Sequence, residues 1–425
     1  MRSGGTDRSW VRLAAASALA ALTGCAVAHA PSATPRSAPA APFLLTFWCG
    51  PPLADFDDAR AAEIAAAGFT VVGAPCQGGF DPALNRRALD TAQRHGLHVW
   101  VHDHRVAPAA SAAPDWPAAA RAAVAEYADH PALAGYFVDD EPTVAEFEPV
   151  AAVVAALRAA DPLHVAYVNL LPDYIPAAVL GAPSYEDYVE QFITTVRPQL
   201  LSYDYYPFGH EKDRSTFFAN LNAMRTAALR HDLPFMLIVL AMPHGPYRDP
   251  SETELAWQVH HALAYGARGV SYFTYWTPPS DEEWNNRYGL IENGRPTAHY
   301  FQVARLNRDL QALATALDGF ESFAVADSLG EIGVPFPIGP IDGIDGGPIT
   351  AGLFGDGAGR LAVLLVNRDY RYGVTAQLRL RAGATQPLAF DVDTATWQKA
   401  ASQSFVLPPG GSRLLGWGMN AGRRA

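Results

Sequence analysis

GYFVDDEPTVAEFEPVAAVVAALRAADPLHVAYVNL, residues 135–170, holds one complete structural period of this chain. Gly135 to Asp140 is a short run of aromatic, β-branched and finally acidic residues, and its pattern predicts a strand over 135–140. After the turn at Glu141-Pro142, an alanine-rich stretch with apolar residues at helical spacing predicts a helix over 145–160. A second apolar run over 164–170 predicts the next strand. A strand that leads through a helix to another strand is the unit from which parallel sheets covered by helices are built.

The same beat recurs on both sides. Strands are predicted over 43–49, 69–74, 97–103, 135–140, 164–170, 200–206, 234–241 and 269–276. Helices are predicted over 55–67, 83–95, 114–129, 145–160, 184–197, 215–231, 252–266 and 297–317. Eight strands alternating with eight helices match the order and size of an α/β (β/α)8 TIM barrel, expected over 42–319. An open doubly wound sheet is the rival. It carries a glycine-rich dinucleotide turn after its first strand, and Gly78-Gly79 lacks the spacing.

Near residue 320 the rhythm changes. RLAVLLVNRDY, VTAQLRLR, PLAFDVDTATWQKA and QSFVLPPGGSRLLGW are strand-like runs separated by Gly, Pro and Asp turns. They predict a C-terminal all-β, sandwich-like domain over 320–425, packed on the barrel and contributing stability.

The N-terminus reads as an address. Arg2, Arg8 and Arg12 precede the small, apolar stretch Leu13 to Leu22, the n- and h-regions of an export signal, which is too short for a membrane span. Leu22-Thr23-Gly24-Cys25 resembles the bacterial lipoprotein processing motif. That resemblance implies a signal peptide over 1–25, lipidation of Cys25, and a protein anchored in the cell envelope, with Ala26 favouring the outer membrane. Cleavage near Ala28-His29-Ala30 with soluble secretion is the alternative. The Ala-, Pro- and Ser-rich stretch 26–41 is expected to be a disordered tether. Cys49 and Cys76 fall at predicted strand ends, where they form either a disulfide or two buried thiols.

With 31 Lys and Arg against 43 Asp and Glu, the net charge of -12 repels phosphate backbones, so no nucleic-acid partner is expected. No cofactor is expected either. In a barrel of this kind the chemistry sits at the C-terminal ends of the strands. Trp48 ends the first strand, His102 and His104 the third, Asp139, Asp140 and Glu141 the fourth, and Tyr167 and Asn169 lie on the fifth. Tyr203, Asp204 and Tyr206 end the sixth, His244 follows the seventh, and Tyr275 and Trp276 end the eighth. Such an acidic and aromatic mouth suits sugars, whose apolar ring faces lie on aromatics and whose hydroxyls meet carboxylates, Asn and His. Each assignment has a plainer counterpart. Strand Tyr and Trp residues also pack between barrel and helices, Asp103 and Arg105 can neutralise each other, and a structural salt bridge competes for Glu141. A mixed metal site built from His102, Asp103 and His104 with Asp139 or Glu141 is a further possibility.

Gly135 to Pro142 resembles the fourth-strand motif of the retaining clan A glycoside hydrolases, whose acid/base glutamate follows an asparagine. Trp257, the run Ala264 to Phe273, Trp276, Gly289-Leu290 and Gly294-Arg295-Pro296 resemble the closing region of family 42 β-galactosidase-like barrels. The resemblance implies a glycoside hydrolase with Glu141 as acid. Asp140 stands where the clan has Asn, and Leu240-Ala241-Met242-Pro243-His244 carries no glutamate where the clan places its nucleophile. Asp139-Asp140-Glu141, Tyr203-Asp204 and Trp276 are similar to features of chitinase-like family 18.

The expected function is hydrolysis of an oligosaccharide or polysaccharide, with Glu141 as general acid and Asp204, across the cavity, as its carboxylate partner. Asp281, Glu282 and Glu283 are alternative second carboxylates. Trp48, His102, His104, Asp139, Asp140, Tyr167, Asn169, Tyr203, Tyr206, His244, Tyr275 and Trp276 are expected to bind substrate, Trp276 as an apolar floor. Repulsion from Asp139 and Asp140 is expected to keep Glu141 protonated. A non-catalytic glycan-binding barrel and a metal-dependent carbohydrate hydrolase or deacetylase are the competing readings.

Overall fold

A computed structural model describes residues 43–76, 81–280 and 285–422. The signal segment with Cys25, the tether, and Asp281, Glu282 and Glu283 lie outside the described residues.

Eight parallel strands form the barrel: β1 (Leu44–Phe47), β2 (Val71–Val72), β3 (His98–His102), β4 (Leu133–Asp140), β5 (Val165–Leu170), β6 (Leu201–Tyr205), β7 (Phe235–Leu240) and β8 (Gly269–Phe273). Between and after them run α1 (Asp58–Ala66), α2 (Pro82–Arg94), α3 (Trp116–Tyr127), α4 (Phe147–Ala160), α5 (Ala177–Leu180), α6 (Tyr185–Val196), α7 (Phe217–His231), α8 (Glu252–Ala264) and α9 (Ala298–Ala316). The short α5 was not anticipated; it lies in the connection between β5 and α6. Several helix starts are written locally. Asp57, Asp81, Ser184 and Ser251 each accept a hydrogen bond from a backbone N–H in the first turn, and Pro82 occupies a position where no N–H is needed.

Alternation along the strands sorts the core into two layers. On β7, Leu237 and Val239 join the large apolar layer shared with the helices, while Met236 packs inside the barrel with Val71, Trp100 and Tyr167. The strand order β1-β8-β7-β6-β5-β4-β3-β2 leaves the seam between β1 and β2 without a regular ladder. Isolated bonds span it, from Thr70 N to Leu45 O (2.8 Å) and from Gly50 N to Ala74 O (2.9 Å). Gly73 lies so close to the Phe47 carbonyl that a Cβ would collide with it, and β2 is shorter than the predicted strand. The Cys49–Cys76 disulfide joins the two strand ends at this seam, with Cα atoms 4.7 Å apart. Of the two states open to these cysteines, the bridged one is found.

Downstream, a small hairpin of β9 (Ile291–Glu292) and β10 (Arg295–Pro296) precedes α9. The C-terminal part contains β11 (Glu321–Asp327), β12 (Ile341–Asp345), β13 (Ile349–Gly355), β14 (Leu361–Asn367), β15 (Val374–Leu380), β16 (Leu388–Asp391), β17 (Thr396–Lys399), β18 (Ser404–Leu407) and β19 (Ser412–Trp417). These form a six-stranded antiparallel sheet, β11-β13-β14-β19-β16-β17, and a three-stranded one, β12-β15-β18. The apolar run of β14 is explained by burial on both faces. Val363 and Leu365 pack in the core between the two sheets, and Ala362, Leu364 and Val366 join the barrel's core. Gly352 of β13 lies against the backbone of Ala264 at the end of α8, where any side chain would collide. Trp257 Nε1 donates to Arg368 O (2.8 Å) and His260 Nδ1 to Gly410 O (2.9 Å) across the same junction.

The disulfide closes a loop with a sequence separation of 27 residues, which by loop-closure entropy amounts to about 3–4 kcal/mol of stability. Replacing both cysteines by serine is therefore expected to lower the denaturant midpoint under non-reducing conditions while leaving the barrel's circular dichroism intact. An unchanged midpoint would show that the seam does not depend on the bridge.

Candidate active site

The end of β4 departs from strict alternation. Phe137 pairs with Tyr167 of β5, but Asp139 pairs with Val168 and Asp140 with Asn169, so Val138 is an extra residue in the ladder. This bulge changes which side chains face inward. Phe137 and Asp140, three positions apart, both line the barrel cavity, whereas unbroken alternation would have paired Phe137 with Asp139. Glu141 follows in the left-handed region, at φ 54°, with its N–H bonded to Asn169 O (2.8 Å). A left-handed non-glycine residue costs about 1–2 kcal/mol and is a recurrent feature of functional sites. Its consequence here is direct: the Glu141 carboxyl is hydrogen-bonded to that of Asp204.

β6 alternates regularly. Ser202 and Asp204 face inward. Tyr203 is fully buried among the apolar residues between barrel and helices, and Tyr205 reaches Thr216 on the outer side (2.9 Å). Asn169 joins the strands by donating from Nδ2 to Asp140 Oδ1 (3.2 Å) and to Asp204 Oδ1 (3.1 Å). Ser202 Oγ donates to Asn169 Oδ1 (3.0 Å), and Tyr167 OH lies 3.0 Å from Ser202 Oγ.

Burial raises the proton affinity of every carboxyl in this cluster. Asp139 is pushed up to about 6, chiefly by desolvation. Asp140 keeps an edge open to solvent yet is surrounded by protein, and desolvation followed by the charge of Glu141 pushes it up to about 7, with Asn169 opposing. Glu141 is raised by desolvation and lowered again by its bond with Asp204. Asp204, 4% exposed, is held well above the carboxylate range by desolvation, then by the charge and hydrogen bond of Glu141 and the charge of Asp140. The pair therefore shares one proton, and the buried Asp204 holds it in preference to Glu141. This corrects two expectations. Glu141 and Asp204 are in contact, not across the cavity, because only β5 separates their strands. Desolvation, not repulsion from Asp139 and Asp140, dominates the shift of Glu141.

A cavity of about 280 Å³ opens beside the cluster, lined by Trp48, Trp100, His102, Phe137, Asp140 and Tyr167 among others. The rings interlock: Tyr167 stacks on Trp100 (5.0 Å), and Trp48 meets Phe137 edge-on (5.3 Å). Desolvation lowers the His102 pKa to about 4, which keeps the ring neutral near pH 7. His244, lowered to about 4 for the same reason, donates from Nδ1 to Met242 O (3.1 Å) and packs against Tyr206 (5.1 Å) and Phe273 (4.6 Å). Tyr206 is buried beside Asp204. A larger concavity of about 600 Å³ lies elsewhere, between the 209–213 loop, the start of α8 and Tyr370-Arg371, and includes none of the cluster's carboxyls.

Four expected substrate contacts are not supported by their placement. Tyr203 points away from the cavity. Tyr275 is fully buried, stacked on Phe47 (4.3 Å) and bonded to Glu63 of α1. Trp276 is half-buried with the Arg60 guanidinium 5.1 Å from its ring, on the α1 side of the rim and outside the cavity lining. β3 ends at His102 and a 3-10 turn follows, leaving His104 72% exposed. The metal alternative loses its second histidine by that turn, and Asp103 is engaged by Arg105 and Tyr127. Among the described residues, no group of three or more His, Cys, Asp or Glu forms a metal-holding arrangement. Asn169 lies within the carboxyl cluster, with its amide spent on protein partners. Ser202 and Phe137 were missed. Ser202 was legible, being two residues from Asp204 on the same face; Phe137 required the bulge.

The raised Asp204 carboxyl has a thermodynamic signature. Its native pKa lies above the unfolded value of about 3.9, so its contribution to stability is full at low pH and is lost as pH rises through the native value. Asp204→Asn is expected to raise Tm at pH 8 by about 2–4 °C, with the gain shrinking toward pH 5. Thermal denaturation across this range would contradict the assignment if the variant were less stable at pH 8 than at pH 5 relative to wild type.

No protein-family model matches the chain, and no curated protein matches it in sequence. Solved structures do share its architecture. A β-galactosidase from Bacillus circulans superposes with a TM-score of 0.60 over 88% of this chain and 99% of that one, at 10% identity. A GH42 β-galactosidase from G. stearothermophilus gives 0.59 over 88% and 98%, at 9% identity. A family 5 glycoside hydrolase from Bacteroides vulgatus gives 0.55 over 88% of both chains, at 12% identity. At such identities the likeness is one of fold: a parallel eight-stranded barrel carrying C-terminal antiparallel sheets, as in these glycoside hydrolases.

Proposed function

We propose that this protein is a glycoside hydrolase acting on an extracellular or cell-envelope glycan, with Glu141 as general acid and Asp204 as its carboxyl partner. The observation that carries this reading is the hydrogen-bonded Glu141–Asp204 pair next to Asp140, which lines an aromatic cavity. Glycosidic cleavage needs a proton delivered to the leaving oxygen and a carboxylate to serve the oxocarbenium-like transition state. Asp204 is buried and Glu141 keeps solvent access, so the proton held on Asp204 reaches the substrate through Glu141.

Carboxyls in hydrogen-bonding contact stand closer than the about 5–5.5 Å of retaining or 6.5–9.5 Å of inverting pairs. Substrate entry therefore has to part them after the proton has passed from Asp204 to the Glu141 carboxylate, which leaves Asp204 as the carboxylate and carries the proton on the solvent-side Glu141 side chain to the leaving oxygen. Asp140, next to the cavity, is placed to accept from a sugar hydroxyl. In this reading Trp48 and Phe137, with the edge of Tyr167, cover the ring's apolar faces, and neutral His102 exchanges hydrogen bonds with it. The cavity is at the small end of ligand pockets, which span about 300–1,000 Å³, and suits a single sugar ring.

One observation favours a glycan-binding protein without turnover: the buried segment after β7, Ala241-Met242-Pro243-His244, supplies no carboxylate. A panel of defined bacterial and plant polysaccharides separates the two readings. Wild type is expected to release reducing ends from at least one, and Glu141→Gln to lose about 10²–10⁴-fold in rate while still binding. Binding without turnover in both forms would establish the second reading.

The proposal extends to location. The Leu22-Thr23-Gly24-Cys25 motif and the 26–41 tether support a lipid-anchored cell-envelope protein, probed by its release from membranes, and the Cys49–Cys76 bridge fits an oxidising compartment. Cys25→Ala is expected to move the protein from the membrane to the soluble fraction. Retention of that variant in the membrane fraction would refute the anchor.

A further inference from the structure

We propose that Asn169, held by Ser202 and Tyr167, is a positioning residue that fixes the proton of the Glu141–Asp204 pair on the Asp204 oxygen left for Glu141. The catalytic meaning of this inference rests on the glycosidase reading; the placement of the proton does not.

An asparagine amide has two N–H donors and one carbonyl acceptor. At Asn169, 2% exposed, Nδ2 serves Asp140 Oδ1 and Asp204 Oδ1, and Oδ1 receives the Ser202 hydroxyl. Since Ser202 spends its hydrogen on Asn169, its oxygen accepts the hydrogen of Tyr167 OH, 3.0 Å away. The chain of donors thus runs one way, from Tyr167 through Ser202 and Asn169 to the two aspartates. A flipped amide would aim its carbonyl oxygen at the Asp140 carboxylate and lose that bond, so Asp140 favours the orientation found.

Two results follow. Asn169 has no N–H left for a substrate, which moves it from the binding residues to those that act through others. An oxygen accepting from an amide behaves as a carbonyl or carboxylate oxygen, because the hydroxyl oxygen of a carboxylic acid is a poor acceptor. The Asp204 proton is therefore directed to Oδ2. Asp140 is held by the same amide, which favours its ionised form.

The titratable groups facing the pair are Asp140 from β4, Tyr167 from β5, Tyr174 from the following connection, Tyr185 and Tyr188 from α6, and Tyr206 from β6. Burial lifts all five phenols above their ordinary range, so they stay neutral while the carboxyls titrate. Removing the amide donors then has one sign: the Asp140 and Asp204 pKa values rise.

The test is a carboxyl-carbon NMR titration of the full chain labelled at Asp and Glu, on wild type, Asn169→Ala, Ser202→Ala and Ser202→Thr. Asn169→Ala and Ser202→Ala are expected to move the Asp140 and Asp204 titrations upward by about one pH unit, and Ser202→Thr, which keeps the hydroxyl, to restore them. On a substrate found by the polysaccharide panel, both limbs of the pH–rate profile should move the same way, with kcat falling about tenfold and KM nearly unchanged. Titrations identical to wild type in folded Asn169→Ala would overturn the proposal. If that variant does not fold, unshifted titrations in Ser202→Ala do so instead. Absence of turnover in wild type would count against the glycosidase reading alone, since the NMR titration requires no substrate.

Discussion

Two carboxyls in hydrogen-bonding contact cannot both be ionised, and the single proton shared by Glu141 and Asp204 is the constraint around which the barrel mouth is arranged. Three local features hold that contact. The bulge at Val138 turns Asp140 inward, the left-handed Glu141 backbone brings its carboxyl to Asp204, and the Asn169 amide ties β4, β5 and β6 together through two aspartates. None is independent of the others: Glu141 N–H bonds to the carbonyl of the same Asn169 whose side chain holds Asp204.

The rest of the fold supplies the rigidity this cluster needs. Burying the Asp204 carboxyl beside those of Glu141 and Asp140 is unfavourable in itself, and only a frame that resists local opening keeps them together. The interlocked rings of Trp100, Tyr167, Trp48 and Phe137 fill the barrel beneath the cluster, and the outer layer of Tyr203, Tyr205 and Tyr272 ties the strands to the helices. At the weakest part of the barrel, between β1 and β2, a disulfide takes the place of a missing ladder.

How far the sequence could be read depended on whether a feature followed a regular period. The eight strands and their helices are periodic and were recovered, and so was the change to a strand–turn rhythm near Glu321. Asp204 and Tyr206 facing inward, with Tyr203 and Tyr205 outward, follow from alternation alone. Tyr203 is therefore a failure against the period, counted as a substrate contact although alternation turns it outward; the others fall where the period breaks. The bulge at Val138 decides that Asp140 lines the cavity, the 3-10 turn after His102 carries His104 into solvent, and the rim residues Tyr275 and Trp276 turn toward α1. Contact between Glu141 and Asp204 could not be read either, because it depends on a positive φ at a glutamate, a conformation with no local sequence signal.

A shared proton at neutral pH is the central claim, and difference infrared spectroscopy observes it directly through the carbonyl stretch of a protonated carboxyl. At pH 7.5 the wild-type protein is expected to show such a band, downshifted in deuterium oxide, and Asp204→Asn to lose most of its intensity, the remainder belonging to Asp140. A wild-type spectrum at that pH with no protonated-carboxyl band, or a band that persists unchanged in Asp204→Asn, would contradict the account.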